Sequence, residues 1–185
     1  IVSKDAFDID GLGKKVIDNF WDLKFIRIPT DIFCLNYEKL EKLEGWGKLS
    51  IKNLKNAIND SKKIVLERFI YSIGIRHIGQ ENAKILGAFF KTEKNFSELF
   101  NSKKRKDILK NLYDLDGIGD TQVRSIEDFF SNQKNSDIIQ SLMSVLNIED
   151  FKKINKKGKL SNKNIMFTGG FEKMSRSEAK ALAEE

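Results

Sequence analysis

A short glycine turn recurs four times along this chain, and it constrains the fold more than any other feature. The copies are IDGLGKKVIDNF (9–20), LEGWGKLSIKNL (43–54), IRHIGQENAKIL (75–86) and LDGIGDTQVRSI (115–126). Their first turn positions, Gly11, Gly45, His77 and Gly117, are separated by 34, 32 and 40 residues. Each copy has an apolar residue two before that position (Ile9, Leu43, Ile75, Leu115) and another just after it (Leu12, Trp46, Ile78, Ile118). Each closes on glycine: Gly13, Gly47, Gly79, Gly119. Four residues later comes Ile17, Ile51, Ala83 or Val123, and three beyond that Phe20, Leu54, Leu86 or Ile126. The i, i+3 spacing puts the last two on one helical face. A repeat at this period has to be accounted for before any fold is assigned.

The pattern predicts a helix, a tight turn and a second helix. Glycine admits the positive φ that a tight turn demands, and the residue between the glycines plugs the joint. The second helix then begins at the tip with its first N–H groups unsatisfied. Such an end presents donors and a positive dipole, which suits an anion. A hairpin of this kind, the helix-hairpin-helix motif, grips a backbone phosphate without reading a base. One such turn also caps helices in many proteins, so the argument rests on four copies with matching flanks. One or two of them can serve packing alone.

The candidate phosphate contacts follow from the residues around each closing glycine. They are Lys14 and Lys15 in the first hairpin, and Lys48 and Lys52, with Lys55 extending the stripe, in the second. The third offers Arg76, His77 and Lys84, and the fourth Thr121 and Arg124. The glycines themselves (Gly11, Gly13, Gly45, Gly47, Gly79, Gly117, Gly119) complete the set by allowing close approach. Hairpins two and three have the best-placed cations. Asp120 in the fourth is a candidate cap for its helix and would repel a phosphate there. His77 tolerates the turn better than most side chains, and as the sole histidine it has no visible catalytic partner.

Composition narrows the classes. The 185 residues are 40% hydrophobic and 32% charged, a globular balance. No apolar run approaches the ~20 residues of a membrane span. The net charge of +6 is uneven: residues 1–150 carry 24 Lys and Arg against 23 Asp and Glu, and residues 151–185 carry 9 against 4. A global basic field is therefore no argument for nucleic acid. The lone cysteine, Cys34, excludes an internal disulfide or a cysteine zinc site, and its apolar neighbours predict burial. Phe20, Trp21, Phe69, Phe89, Phe90, Phe129 and Phe130 are expected in the core, and the run 103–106 on a solvated face.

Residues 151–159 read as a polar, basic linker. Residues 160–185 read as a strand, a Thr168-Gly169-Gly170 turn and a helix capped by Ser175. The fold expected is mainly α, with tandem helix-hairpin-helix repeats over 1–150 and an incomplete α/β segment over 160–185. The start at Ile1 and the helix cut in mid-pattern suggest a piece of a longer protein.

The strings DIDGLGKKVID (8–18), FIYSIGIRHIGQENAKIL (69–86) and LDGIGDTQVRSIEDFF (115–130) resemble the C-terminal half of bacterial NAD-dependent DNA ligases. The stretch 158–185 resembles the opening of a BRCT domain. In that family histidine is usual at the position of His77. The resemblance implies a parent enzyme that seals nicks in duplex DNA in replication and repair, using NAD, Mg2+ and a structural Zn2+. Its K-x-D-G lysine motif and four-cysteine zinc module are not in this sequence. The chain is thus expected to have no catalytic residue, metal or cofactor of its own and to be inactive alone. Its partners would be nicked duplex DNA and the other ligase domains in cis, in the bacterial cytoplasm at the nucleoid, with no membrane. The repeat by itself also allows a module of a repair nuclease or branch-handling protein, or a helical protein-interaction domain.

Overall fold

Each repeat folds as a hairpin, but the arms before the turns differ. In the computed structural model, which describes residues 1–152, the second arms are α1 (Lys14–Asp22), α3 (Lys48–Ser61), α5 (Gln80–Phe90) and α8 (Asp120–Ser131). The first arm grows along the chain. It is a set of turns before the first hairpin, then the single-turn α2 (Tyr37–Leu40), α4 (Leu66–Ser72) and α7 (Ser102–Leu112). A 3-10 helix, Pro29–Cys34, lies between α1 and α2. Helix α6 (Glu93–Ser97) and a 3-10 turn, Glu98–Phe100, lie between α5 and α7, and α9 (Gln133–Met143) follows α8.

The hairpins pack in pairs. In the first pair, Phe20 of α1 meets Trp46, the plug of the second turn, with ring centroids 5.3 Å apart. In return the first turn leans on α3: a Cβ on Gly11 would lie 3.9 Å from Leu54 Cδ1. In the second pair the fourth turn leans on α5, so closely that a Cβ on Gly117 would lie 2.8 Å from Ile85 Cδ1. Phe96, 1% exposed, is the hub of that half, with Phe69, Phe90 and Phe130 around it at 5.9, 5.3 and 5.7 Å. Edge-on aromatic contacts of this kind add a small gain beyond area burial.

The chain then ties the pairs together, which the helical periodicities do not foretell. Strand β1 (Lys63–Val65), in the link between the pairs, is joined in parallel by β2 (Asn147–Glu149), which follows α9. Ile64 lies opposite Ile148, and Lys63 reaches Glu149 at 3.3 Å. The Thr30 hydroxyl donates to Ser141 Oγ at 3.1 Å, fixing the first 3-10 helix to α9, and Phe151 N–H donates to the Lys91 carbonyl at 2.8 Å. The fold is mainly α as expected, with these two three-residue strands added, and Ile1–Phe151 form one compact unit. The BRCT-like segment 160–185, with Thr168, Gly169 and Ser175, lies outside the described residues.

Two core expectations need correction. Cys34 is exposed, although Ile32, Phe33 and Leu35 are buried. Successive residues of a 3-10 helix point about 120° apart, so a residue between buried neighbours can face outward. Trp21 is 50% exposed beside the buried Phe20 and lies under the Arg27 guanidinium, 5.3 Å from its ring centroid. Phe89 and Phe129 are half-buried, while Phe20, Phe69, Phe90 and Phe130 are in the core as expected.

Candidate nucleic-acid interface

The four turns share one geometry. In each, the plug residue donates its N–H to the carbonyl three residues back: Leu12 to Ile9 (3.2 Å), Trp46 to Leu43 (3.2 Å), Ile78 to Ile75 (3.1 Å) and Ile118 to Leu115 (3.1 Å). The third residue of each turn has positive φ: 83° at Gly11, 84° at Gly45, 62° at His77 and 88° at Gly117. The second residue does not, so these are type II turns, in which only the third residue needs the left-handed region. His77 adopts it as a non-glycine residue, and Asn82 Nδ2 donates back to its carbonyl at 3.3 Å.

The closing glycines are a different matter. Gly13, Gly47, Gly79 and Gly119 have φ of −69°, −80°, −84° and −111°, open to any L-residue. A Cβ on Gly13, Gly47 or Gly79 would meet nothing within 4 Å. Neither the backbone nor the packing of this chain requires glycine there. The positive φ anticipated for these turns belongs to the first turn position alone.

The second arms also begin without side-chain caps. Elsewhere in the chain α2, α6, α7 and α9 start at Asn36, Thr92, Asn101 and Asn132, whose side chains accept from backbone N–H groups one turn in. Helices α1, α3 and α5 start at bare glycine with no such bond. Their first N–H groups remain at exposed tips with the positive end of the helix dipole. In the fourth hairpin the Gly119 N–H donates to Gln122 Oε1 at 3.1 Å, so that tip carries its own acceptor, with Asp120 beside it.

The sequence-predicted cations lie around these tips, all exposed. Lys14 and Lys15 open α1, and Lys48 and Lys52 lie one turn apart on α3. Lys55 is drawn aside, 5.7 Å from the Tyr37 ring centroid. Burial, with a smaller push from Cys34, raises the Tyr37 hydroxyl above its ordinary pKa, which keeps it neutral. Arg76 and His77 form the third turn, and Lys84, one turn into α5, has Glu81 at 3.8 Å. Thr121 and Arg124 lie on α8.

Sequence reasoning missed the third residue of the last two second arms. That residue is Asn82 in the third hairpin, donating to the turn, and Gln122 in the fourth, accepting from it. A Gln or Asn three after the closing glycine was the available signal. The run 103–106 also divides. Arg105 Nη1 donates to the Leu99 and Phe130 carbonyls at 2.9 and 2.8 Å, and Lys104 pairs with Glu98 at 2.7 Å. Lys103 and Lys106 face solvent.

Among the described residues no group of three or more His, Cys, Asp or Glu is placed to hold a metal ion, and no helix is long and apolar enough to cross a membrane. The implied zinc therefore has no fitting donor set among these residues.

Comparison with known proteins agrees with this geometry. Residues 68–139 match the family model described as helix-hairpin-helix motif. Proteins named DNA ligase align along the whole chain. That of Pelagibacter ubique (strain HTCC1062) is 53% identical over 184 residues, covering 100% of this chain and 27% of the relative. Those of Rickettsia bellii (strain RML369-C) and Rickettsia prowazekii (strain Madrid E) are 45% and 46% identical, over 28% of their own lengths. The chain thus spans a little over a quarter of the curated relatives it matches.

Proposed function

From the homology of the whole chain to a segment of the DNA ligases, we propose that it is the part of an NAD-dependent, nick-sealing ligase that holds the duplex by its phosphate backbone. One observation carries this reading: glycine closes the first three turns where neither φ nor space within the fold asks for it. An approaching ligand does ask for it. A phosphate drawn to bare N–H groups at a helix start is kept out by a side chain on the closing residue. Lysine or arginine beside the tip then adds charge without base readout, so binding is independent of sequence.

On this reading the second and third hairpins are the main grips. Lys48 and Lys52 serve the one, and Arg76, His77 and Lys84 the other. The first hairpin assists through Lys14 and Lys15. The fourth, with its tip engaged by Gln122 and its turn pressed on Ile85, mainly packs, so Gly117, Gly119, Thr121 and Arg124 contribute least. The adenylation chemistry, with NAD, magnesium and the structural zinc, belongs to other parts of the enzyme, and this segment alone has no ligase activity. The setting is the bacterial cytoplasm, in replication and repair.

The test is the pair Lys48→Glu and Lys84→Glu in one chain. It should weaken binding equally for duplexes of unrelated sequence and flatten the dependence of affinity on salt by roughly 0.9 for each phosphate no longer neutralised. A folded double variant with unchanged affinity and salt slope would refute this assignment of the two lysines.

A further inference from the structure

The basic run ahead of the fourth hairpin is not one surface. Lys104 and Arg105 are engaged by the chain itself, the exposed Lys104 by Glu98 and the half-buried Arg105 by two carbonyls. Lys103, Lys106, Lys110 and Tyr113 are spaced 3, 4 and 3 apart along α7 and its first following residue, so they lie on one helical face. That face lines an open groove between α7 and α8, with Val123 and Glu127 on the far wall. Among the described residues Lys103 and Lys106 form no ion pair, and Lys110 has only Asp107, 4.0 Å away and highly exposed. Tyr113, a large apolar ring, is 50% exposed at the end of the row.

We infer that this stripe is a second contact surface for a nucleic-acid backbone, used by the fourth hairpin in place of its tip; the inference rests on the duplex-binding reading above. Three cations in a row suit a line of phosphates. At 1.5 Å of rise per residue, Lys103 to Lys110 spans about 10 Å, equal to the axial rise of roughly three nucleotides of a duplex strand. Tyr113 offers a ring against sugars and a hydroxyl to a phosphate oxygen, and it lies two residues before Leu115, where the fourth turn begins. The row therefore runs into the fourth hairpin and is not isolated on a remote face. Asp107 and Glu127 temper the charge of the groove, so it suits a backbone passing over the lysines and not an anion enclosed among them. An acidic polypeptide is the competing occupant of the same row, and the duplex held by the other hairpins of the same compact unit favours the nucleic-acid backbone.

The experiment uses the 185-residue chain with Lys103, Lys106 and Lys110 all changed to Gln, and a second variant with all three changed to Arg. Binding to a duplex longer than the hairpins cover is followed against salt, with a poly-glutamate probe in parallel. Expected are an unaltered melting temperature, affinity for the duplex at least about tenfold weaker in the Gln variant, a salt slope reduced by about 2.7 for three phosphates, and near-complete recovery with Arg. A parent chain that binds steeply with salt while the Gln variant matches it overturns the stripe and leaves the hairpin grip intact. Unchanged duplex binding with abolished poly-glutamate binding overturns it in favour of an acidic polypeptide. A parent chain that binds no duplex at all overturns both readings.

Discussion

The closing glycines allow a substitution that separates folding from binding. Consider Gly47→Ala with Gly79→Ala. At φ −80° and −84° alanine is unstrained, and its methyl would meet nothing within 4 Å. Restricting the unfolded chain gains about 0.4–1 kcal/mol per site. Alanine is a poorer N-cap than glycine by a similar amount, so the two effects nearly offset. The melting temperature should move by no more than about 3 °C, since about 1 kcal/mol corresponds to 2–4 °C at this size. DNA binding should behave otherwise. On the proposed phosphate grip each methyl stands in the path of a phosphate, and an N–H bond to a charged oxygen contributes about 1.5–3 kcal/mol. Partial loss at each tip predicts about tenfold weaker affinity per site, read by fluorescence anisotropy on a labelled duplex. Gly45→Ala is the contrast: at φ +84° it carries the left-handed penalty of about 1–2 kcal/mol and should lower the melting temperature measurably. A folded Gly47→Ala/Gly79→Ala chain that binds DNA like the parent would remove the reason given for those glycines.

Other substitutions probe the packing. Gly117→Ala combines a positive-φ penalty with a contact to Ile85 at 2.8 Å. It should cost about 0.5–1.5 kcal/mol more than Gly45→Ala in denaturant unfolding, through a displaced Ile85 rotamer; equal costs would mean that the fourth turn does not press on α5. Gln122→Ala removes the acceptor of the Gly119 N–H and should cost about 0.5–1 kcal/mol. Its DNA affinity should not fall, and a clear drop would mean that the turn as Gln122 holds it takes part in the grip. Arg105→Ala leaves the Leu99 and Phe130 carbonyls without their charged donor and should destabilise by about 2–3 kcal/mol, whereas Lys103→Ala should stay within about 0.5 kcal/mol in thermal unfolding.

The hairpins were legible because their signals are local. A residue with forced positive φ, a plug and an i, i+3 apolar pair all fall within twelve residues, and each hairpin has the same turn bond. His77 was read as a turn residue and takes that conformation. What escaped depends on residues far apart in sequence. Strand β1 is three residues long, and its pairing with β2 spans some eighty positions, so no periodicity marks it. Cys34 and Trp21 have apolar neighbours, yet the direction of one side chain on a short 3-10 turn or at a helix end is set by what packs beside it. The same holds for the run 103–106, where Arg105 turns inward onto the Leu99 and Phe130 carbonyls, which lie 6 and 25 residues away in sequence. At the tips, sequence supplied the cations but not the side chains that occupy or spare the N–H groups: Asn82 donates to the His77 carbonyl, whereas Gln122 accepts from the Gly119 N–H, and which of the two an amide side chain does is set by the folded turn.

The central claim is that this chain holds duplex DNA by its phosphates without reading sequence. Its most direct test is the affinity of the chain for nicked, intact and branched duplexes of unrelated sequence across a range of salt. The account predicts similar affinities for nicked and intact duplex, no dependence on sequence, and a linear fall of log affinity with log salt whose slope reports several phosphates engaged at once. No binding at low salt, or a strong preference for branched over nicked duplex, would contradict it.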